Sequence, residues 1–485
     1  MTNKIQYPNI LKNASMISIS VACTMVLSLL LRMYLPRLLG PEKIGQLFYA
    51  ESISLIFFSF LPLGVSVYIS RMIPPNPSHT KEILSSVLFM QFVYGLLIAG
   101  AMYTFLMFSG KDQATIQFTM TMGVFAGLHI INRETLKRTT IAIDEVKIVT
   151  IINIVTKLVL VGTAFLLLYF DESVESAIYA LVLSEVFCFI LLMTNFSRKK
   201  LVSLSIDFSV LRAILKVGLP FYAANVLAAV STEIDMAMLG SLTSSEELGY
   251  FGAASKLVGI FLLFVPILSS SVTPALSVAF SKDKASFIHL TQQAIRFLLI
   301  ITFPLSMAMT LFAGEFATIL YGDGFEPSHK IIAYLSPVLL LTYLATLLSS
   351  ALSISKTGKT LATVIFVGVL INVSLNSFTV SLGLAHWGVG GGGLAVTIST
   401  LISEVVGVCL LMRLFPGKLV NTKMMMLIVL LEVPAFLCLW FFDALRETPL
   451  VYRILGFGLT PLYLFTIGAL KRSELVEMMK EIRRR

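Results

Sequence analysis

The feature that most constrains this chain is a succession of apolar stretches, separated by short segments that carry most of the charges. A membrane-spanning helix needs about 20 mostly apolar residues, and each stretch is long enough. Of the 485 residues, 57% are hydrophobic and only 13% are charged. This charged fraction is about half that of an ordinary soluble domain. The sequence therefore excludes a soluble protein, and its connecting segments are too short for a sizeable extramembrane domain.

Apolar windows of about 19 residues, broken at charges, Pro and Gly, predict fourteen spans. They begin near Asn13, Ile44, Ile83, Thr115, Ile148, Ser176, Leu211, Tyr250, Gln292, Ile331, Leu361, Gly391, Lys423 and Leu450. An even number of spans puts both termini on one side. Most of the 36 Lys and Arg residues fall in segments on that side, so it is predicted to be cytoplasmic. The net charge of +9 then indicates a membrane protein and no nucleic-acid partner.

An internal repeat pairs spans 1, 2 and 6 with spans 7, 8 and 12. The matched segments are Ile10-Leu11-Lys12 with Ile214-Leu215-Lys216, Glu42 and Gly45 with Glu246 and Gly249, and Ser184-Glu185-Val186 with Ser403-Glu404-Val405. Both copies begin on the same predicted side, so the repeat is parallel. Parallel repeats are typical of transporters that work by alternating access, although a static scaffold that arose by duplication is an alternative.

The predicted fold class is therefore an all-α polytopic membrane protein of two six-helix lobes and two extra helices. The N-terminal lobe is predicted over residues 1–200, with spans 1 to 6, and the C-terminal lobe over residues 201–415, with spans 7 to 12. Residues 416–485 are predicted to hold spans 13 and 14 and a basic cytoplasmic tail.

Ionisable residues inside the predicted spans are candidate functional residues, because each costs several kcal/mol in the bilayer. They are Arg32, Glu51, Lys157, Glu185, Glu233, Asp235, Lys256, Glu404 and Glu432. Arg32 and Glu51 are predicted near the outer surface, as are Asp235 and Lys256 in the matching hairpin. Opposite charges at similar depth predict an ion-pair gate, or alternatively a local pair within each hairpin. Asp235 is preferred to Glu233 as a cavity residue, since residues two apart lie on nearly opposite helix faces.

Lys157 is predicted near the middle of span 5, and Glu185 near the middle of span 6. The repeat puts Asn376 and Glu404 at the equivalent positions of the second copy. Lys157 is thus the one cation predicted at mid-membrane depth. Two interpretations stay open: it binds an anionic headgroup, or it is a buried partner of Glu185.

The sequence offers no nucleotide or metal site. Gly358-Lys359-Thr360 resembles the end of a P-loop, but Ser353 stands where that motif requires Gly. The histidines lack metal-ligand spacing, and His129 is alone in its span. The four cysteines lie in apolar runs and are predicted to be buried small side chains. No cofactor is expected, and an ion gradient of H⁺ or Na⁺ is one candidate driving force.

Short motifs distributed over most of the chain point to a family. They are Leu38-Leu39-Gly40-Pro41-Glu42 with Gly45, Gly218-Leu219-Pro220, Asp235 with Leu239-Gly240, Gly249-Tyr250 with Ala253, Leu320-Tyr321-Gly322 with Phe325, and Asn372 with Asn376. In this order and spacing they resemble the bacterial Wzx-like flippases for lipid-linked oligosaccharides. That branch belongs to the multidrug/oligosaccharidyl-lipid/polysaccharide exporter superfamily, which also holds multidrug extruders and the lipid II flippase.

The resemblance implies a V-shaped protein with a central cationic cavity and no enzymatic activity. It implies that the cavity binds the pyrophosphate and sugars of the substrate while the prenyl tail stays in lipid. The expected substrate contacts are Arg32, Lys157, Lys256 and Asn376. The expected gate or ion-coupling residues are Glu51, Asp235, Glu185 and Glu404. Similar flippases have a basic residue on span 2, where this chain has Glu51, and this departure disfavours lipid II as the substrate.

The predicted function is transfer of an undecaprenyl-pyrophosphate-linked repeat unit from the inner to the outer leaflet for surface polysaccharide synthesis. The predicted location is the bacterial inner membrane. Expected partners are the lipid-linked oligosaccharide, membrane lipid, and polysaccharide polymerase and chain-length proteins. The alternatives are a cation-coupled multidrug exporter, a lipid II flippase and a membrane scaffold without transport.

Overall fold

The computed structural model describes residues 7–203, 206–262, 265–355, 358–415, 430–431, 433–434 and 437–467. Every regular element in these ranges is helical. Glu432 and the predicted start of span 13 lie outside the described residues. The chain forms two compact units, Met1–Gly249 and Tyr250–Arg485. The lobe boundaries near residues 200 and 415 follow the sequence repeat and stay a prediction.

The first unit is a bundle of long helices. They are α1 (Tyr7–Phe58), α2 (Val65–Met72), α3 (Thr80–Phe108), α4 (Gln113–Ile130), α5 (Lys137–Ala142), α6 (Val146–Phe170), α7 (Val174–Arg198) and α8 (Phe208–Leu242), and α9 (Ser245–Leu262) begins at its end. A π-helical turn, Ile131–Leu136, joins α4 to α5. The helices α1, α4, α6, α7 and α8 pack against one another in this unit.

The long helix α1 contains the predicted spans 1 and 2, separated by a break at Gly40. The Gly40 backbone has φ 74° and ψ 173°, a conformation that residues other than glycine rarely adopt. Pro41 follows, and it has no N–H group to continue the helical hydrogen bonds. The Gly-Pro pair therefore makes the turn between the two spans.

Capping side chains explain where two of the spans begin. The Asp112 carboxylate accepts a hydrogen bond from the Thr115 N–H, 3.2 Å away, ahead of α4. Hydrogen bonds from Thr115 hold the pKa of Asp112 below its usual value. The Ser173 hydroxyl accepts from the Ser176 N–H, 3.2 Å away, ahead of α7. Both caps satisfy backbone donors that a helix start leaves open.

The second unit continues α9 and adds a second helical bundle. Its further helices are α10 (Val265–Lys282), α11 (Lys284–Leu311), α12 (Ala313–Tyr321), α13 (Ser328–Ser355), α14 (Gly358–Trp387), α15 (Gly391–Leu414), α16 (Phe442–Glu447), α17 (Leu450–Gly458) and α18 (Thr460–Thr466). The hairpin of α14 and α15 packs tightly, as does the repeat-related hairpin of α6 and α7 in the first unit.

Polar bonds fasten the C-terminal helices of the second unit to α11–α13. Arg453 on α17 forms a bidentate ion pair with Glu315 and also donates a hydrogen bond to the Leu311 carbonyl oxygen at 2.9 Å. Arg446 pairs with Glu326 at 2.5 Å, but both side chains are largely exposed. The Arg446 guanidinium holds the pKa of the Glu326 carboxyl below its usual value.

Arg453→Gln is expected to lower the free energy of unfolding by about 3 kcal/mol, because it leaves the half-buried Glu315 carboxylate and the Leu311 carbonyl without their donor. Thermal unfolding in detergent measures this loss. Arg446→Gln is the matched control, since water already solvates that pair and little change is expected. Equal melting temperatures for the two variants would contradict the assignment.

The all-α polytopic fold class is confirmed. Nine helices among the described residues are long and apolar enough to cross a membrane. The predicted starts of spans 4 and 12, near Thr115 and Gly391, agree with α4 at Gln113 and α15 at Gly391. The four cysteines are free thiols, with Cys188 buried and Cys23 and Cys409 exposed on the protein surface. The expectation that all four are buried is therefore wrong for Cys23 and Cys409, which lie on outward-facing sides of their helices.

Candidate functional site

The best-defined polar site of the first unit is built around Glu185 on α7. Glu185 is 8% exposed. His129 on α4 contacts it through Nδ1, 2.8 Å from Oε1. Asn132 donates from Nδ2 to Oε2 at 2.7 Å and to the Glu185 backbone oxygen at 3.0 Å. Two side chains from one helix therefore hold both carboxylate oxygens.

Local structure explains how α4 presents both partners. His129 and Asn132 are three residues apart, a spacing that puts side chains on one helix face. The helix changes to π geometry at Ile131, and π turns often occur at functional sites. Asn132 is fully buried in this turn. Phe125 stacks on the His129 ring with centroids 5.6 Å apart, which fixes the orientation of the imidazole.

Cations surround this carboxylate without forming its ion pair. Lys157 interacts electrostatically with Glu185, Arg32, Lys137 and Glu51. The sequence left open an ion pair between Lys157 and Glu185. Within the described residues, Lys157 lies in electrostatic range of Glu185, but His129 and Asn132 make the direct contacts.

The resulting cluster has three fixed cations and two carboxylates. Arg32 and Glu51 come from α1, Lys157 from α6, Lys137 from α5 and Glu185 from α7. With neutral histidine, the formal sum of these charges is positive. Because its net charge is positive, such a cluster can bind an anionic group.

The second unit has a related arrangement that keeps the carboxylate but has an amide in place of the cation. Glu404, the repeat partner of Glu185, accepts a hydrogen bond from Thr342 at 3.5 Å. Asn376 stands where the first copy has Lys157, and its Nδ2 donates to the Asn372 side-chain oxygen at 3.0 Å. Asn372 in turn donates to Thr400 at 3.3 Å. Amide and hydroxyl groups therefore replace the cation of the first copy.

The remaining predicted site residues lie on α8 and α9. Glu233 and Asp235 are half-buried on α8, in the first unit, and Lys256 is half-buried on α9, in the second. All three interact with neighbouring groups. Their predicted roles in a gate or a substrate site stay predictions.

Close backbone contacts join α1 to the start of α9 within the first unit. A Cβ atom on Gly45 would lie 1.7 Å from the Ser245 carbonyl oxygen, and one on Gly249 would lie 1.9 Å from the Pro41 oxygen. These positions are related by the repeat, so each copy makes the same contact with the other. Only glycine fits at either position.

Lys111, in the turn between α3 and α4, contacts both α1 and the last turn of α8. Its Nζ donates to the Gly240 carbonyl oxygen at 2.6 Å and lies 5.0 Å from the centre of the Tyr49 ring. The bond caps a carbonyl in the last turn of α8, where positive charge is favourable. Burial lowers the pKa of the Lys111 ammonium, and the neighbouring Asp112 partly opposes this effect.

A second glycine contact lies farther along the same helices. A Cβ on Gly218 of α8 would lie 2.7 Å from the Gly64 Cα atom. Beside it, the Tyr222 hydroxyl donates to the Phe60 carbonyl oxygen at 2.8 Å. The segment from α1 to α2 therefore contacts the start of α9 at one place and Gly218 of α8 at another.

Sequence reasoning missed His129, Asn132 and Lys137 as site residues. His129 was expected to stand alone in its span. The available signal was the spacing of His129 and Asn132 on one face of a span, opposite a span that carries an intramembrane carboxylate. The contact between α4 and α7 that brings them together is tertiary and has no signature in the sequence.

Comparison with known proteins agrees with the fold. The lipid II flippase MurJ in an inward closed conformation has TM-score 0.69 and 16% identity, covering 95% of this chain and 99% of MurJ. An inward-facing multidrug resistance MATE family transporter of the MOP superfamily has TM-score 0.61 and 16% identity, covering 84% of this chain and 96% of its own. A mutant of the Vibrio cholerae MATE transporter VcmN has TM-score 0.55 and 13% identity, covering 84% of this chain and 96% of its own. A search of curated proteins gives no match.

The fold and the charged interior define the class: a multi-pass membrane protein with the architecture of flippases and transporters. The chain belongs to the polysaccharide biosynthesis protein family, whose model matches residues 34–330, more than half of its length. The resemblance to the Wzx-like flippases is thereby confirmed at the level of family and fold.

Proposed function

We propose that this protein is a flippase that moves an undecaprenyl-pyrophosphate-linked oligosaccharide repeat unit from the inner to the outer leaflet. The observation that carries the proposal is the excess of cations in the cluster of Arg32, Lys137, Lys157, Glu51 and Glu185. A diphosphate is a compact anion, and charge-assisted hydrogen bonds to it are the strong ones. The family, one of polysaccharide biosynthesis, supports a substrate of this kind.

The proposed roles follow the chemistry of each side chain. Arg32, Lys157, Lys256 and Asn376 contact the diphosphate and sugars, and Glu51, Asp235, Glu185 and Glu404 act in gating or ion coupling. The protein works in the bacterial inner membrane with both termini cytoplasmic, where the basic segments meet anionic lipid. It catalyses no covalent step and uses no bound cofactor; H⁺ or Na⁺ supplies the coupling. Polymerase and chain-length proteins are the proposed protein partners.

Lys157→Gln is expected to reduce flipping by about tenfold to a hundredfold, since one charge-assisted hydrogen bond contributes about 1.5–3 kcal/mol. The measurement is the transfer rate of a prenyl-pyrophosphate oligosaccharide in proteoliposomes. Lys147→Gln is the matched control, because Lys147 is exposed on the same helix. If the two variants flip at the same rate, Lys157 does not bind the headgroup. If the wild type itself flips nothing, the proposed function is wrong.

The second candidate is a cation-coupled multidrug exporter, which the shared fold with MATE transporters favours. The same proteoliposomes distinguish the two functions. Ion flux that depends on an amphipathic drug and needs no lipid-linked substrate would support the exporter. Flipping of lipid II in preference to oligosaccharide lipids would instead support a lipid II flippase, which is the activity of MurJ.

A further inference from the structure

We infer that His129 and Glu185 form a proton-binding pair that takes up a proton when an anionic headgroup binds the neighbouring cations. The inference rests on the proposed function and adds to it a residue and a coupling step. Its basis is the geometry of the pair: a nearly buried carboxylate, a stacked imidazole with one nitrogen committed to it, and a positively charged surrounding.

The chemistry of the pair fixes which nitrogen is free. Glu185 accepts hydrogen bonds from Asn132 and contacts His129 Nδ1 at 2.8 Å. An ionised carboxylate only accepts, so Nδ1 carries the hydrogen and donates. Nε2 then holds the lone pair in the neutral ring. Within the described part of the unit, Nε2 has no hydrogen-bond partner.

The two members differ in exposure. The His129 side chain is 35% exposed, whereas that of Glu185 is 10% exposed. In the inferred step the proton binds the Nε2 lone pair of His129, the more exposed member, and the imidazolium keeps its Nδ1 hydrogen bond to Glu185. No bond to carbon forms or breaks in this step. After uptake Nε2–H is a donor that points away from the carboxylate, available to a phosphate oxygen.

The neighbouring charges make uptake depend on the ligand. Lys157 lies in electrostatic range of Glu185, Arg32, Lys137 and Glu51, and Glu185 lies in range of Lys137. Like charges repel, so the cations near the pair oppose the addition of another positive charge to it. An anion bound at the cations removes much of this opposition. Binding and protonation are thus linked, and by reciprocity the anion binds more tightly when His129 is protonated.

The test is the affinity for farnesyl diphosphate, measured between pH 5.5 and 8 on the full-length chain in nanodiscs. We expect Kd to fall about tenfold more toward low pH in the wild type than in His129→Gln, within the range of ordinary linkage. Gln keeps an amide donor for Glu185 but does not titrate. Farnesyl diphosphate ionises in the same way in both experiments. The ratio of the two Kd values therefore reports only the contribution of the protein to the pH dependence. His289→Gln, at an exposed position on α11, is the matched control and should follow the wild type.

Parallel pH profiles for the wild type and His129→Gln would overturn the inference, as would a wild type that binds no diphosphate. Glu185→Gln is a second variant in case His129→Gln does not fold, and it should shift the pH dependence to lower pH, because it removes the carboxylate that stabilises the imidazolium. The flipping assay is separate. Coupled binding without flipping would defeat the proposed function alone, and flipping with parallel profiles would defeat this inference alone.

Discussion

Replacing Gly45 or Gly249 by Ala is expected to reduce flipping about a hundredfold and to open the contact between α1 and the start of α9. The added Cβ atom would lie 1.7 Å from the Ser245 oxygen or 1.9 Å from the Pro41 oxygen. Both obstacles belong to the backbone, so no side-chain rotation relieves the clash. A penalty of about 3 kcal/mol on this closed contact changes its population relative to the open one about a hundredfold.

The opening is measured with Leu248→Cys, since Leu248 is fully buried at this contact. The native cysteines are first replaced by Ser: Cys23, Cys188, Cys409 and Cys438. A membrane-impermeant maleimide added from the predicted outer side should label Leu248→Cys only when Gly45 or Gly249 is also Ala. A labelling rate unchanged by those substitutions would show that the contact is not a closed gate.

Gly100→Ala and Gly162→Ala are the matched controls. Both glycines lie within helices of the first unit, and a Cβ on either meets nothing within 4 Å. Alanine at such positions slightly favours the helix. These variants should flip at the wild-type rate and leave Leu248→Cys unlabelled. If they lost activity as Gly249→Ala does, glycine content rather than the contact would explain the loss.

The contact also shows what the repeat could predict and what it could not. Gly45 and Gly249 were recognised in the sequence as equivalent positions, because they fall 204 residues apart within matching motifs. That the two copies touch through them is a property of the tertiary structure. The sequence offset between two segments says nothing about the distance between them in space. The need for glycine at these positions becomes clear only when the structure shows the two backbones in contact.

The helices themselves were predictable for a simpler reason. An apolar segment in a bilayer must satisfy its backbone hydrogen bonds internally, so a run of about 20 apolar residues leaves the helix as its main choice. The starts of α4 and α15 follow from such runs. The break at Gly40 agrees with the predicted boundary between spans 1 and 2, since Gly-Pro disrupts the helix at any depth.

The candidate site was only partly predictable. An intramembrane carboxylate such as Glu185 is a site hypothesis on energetic grounds alone. Its partner is not, because several polar side chains on other spans could reach it. Charge suggested Lys157, but the π turn after α4 turns Asn132 toward Glu185 together with His129. Local backbone geometry, rather than formal charge, selected the direct contacts.

Gly218→Ala is expected to stop flipping as completely as Gly249→Ala but to expose the opposite end of the helices. A Cβ on Gly218 would lie 2.7 Å from both the Gly64 Cα atom and the Leu63 carbonyl oxygen. Gly218 is the better position to change, since Gly64 has φ 80° and alanine there would be strained in any packing. Ile214→Cys reports the opening, because Ile214 is fully buried four residues earlier on α8.

Opposite labelling is what distinguishes two gates from general loosening of the bundle. If the contacts at Gly249 and Gly218 close in alternation, weakening one shifts the population toward the state in which the other is closed. Gly218→Ala should then make Ile214→Cys reactive in inside-out vesicles while Leu248→Cys stays protected, and Gly249→Ala should do the reverse. Labelling of both cysteines in either variant would mean that the glycines only hold the unit together, and alternating access through these contacts would have to be abandoned.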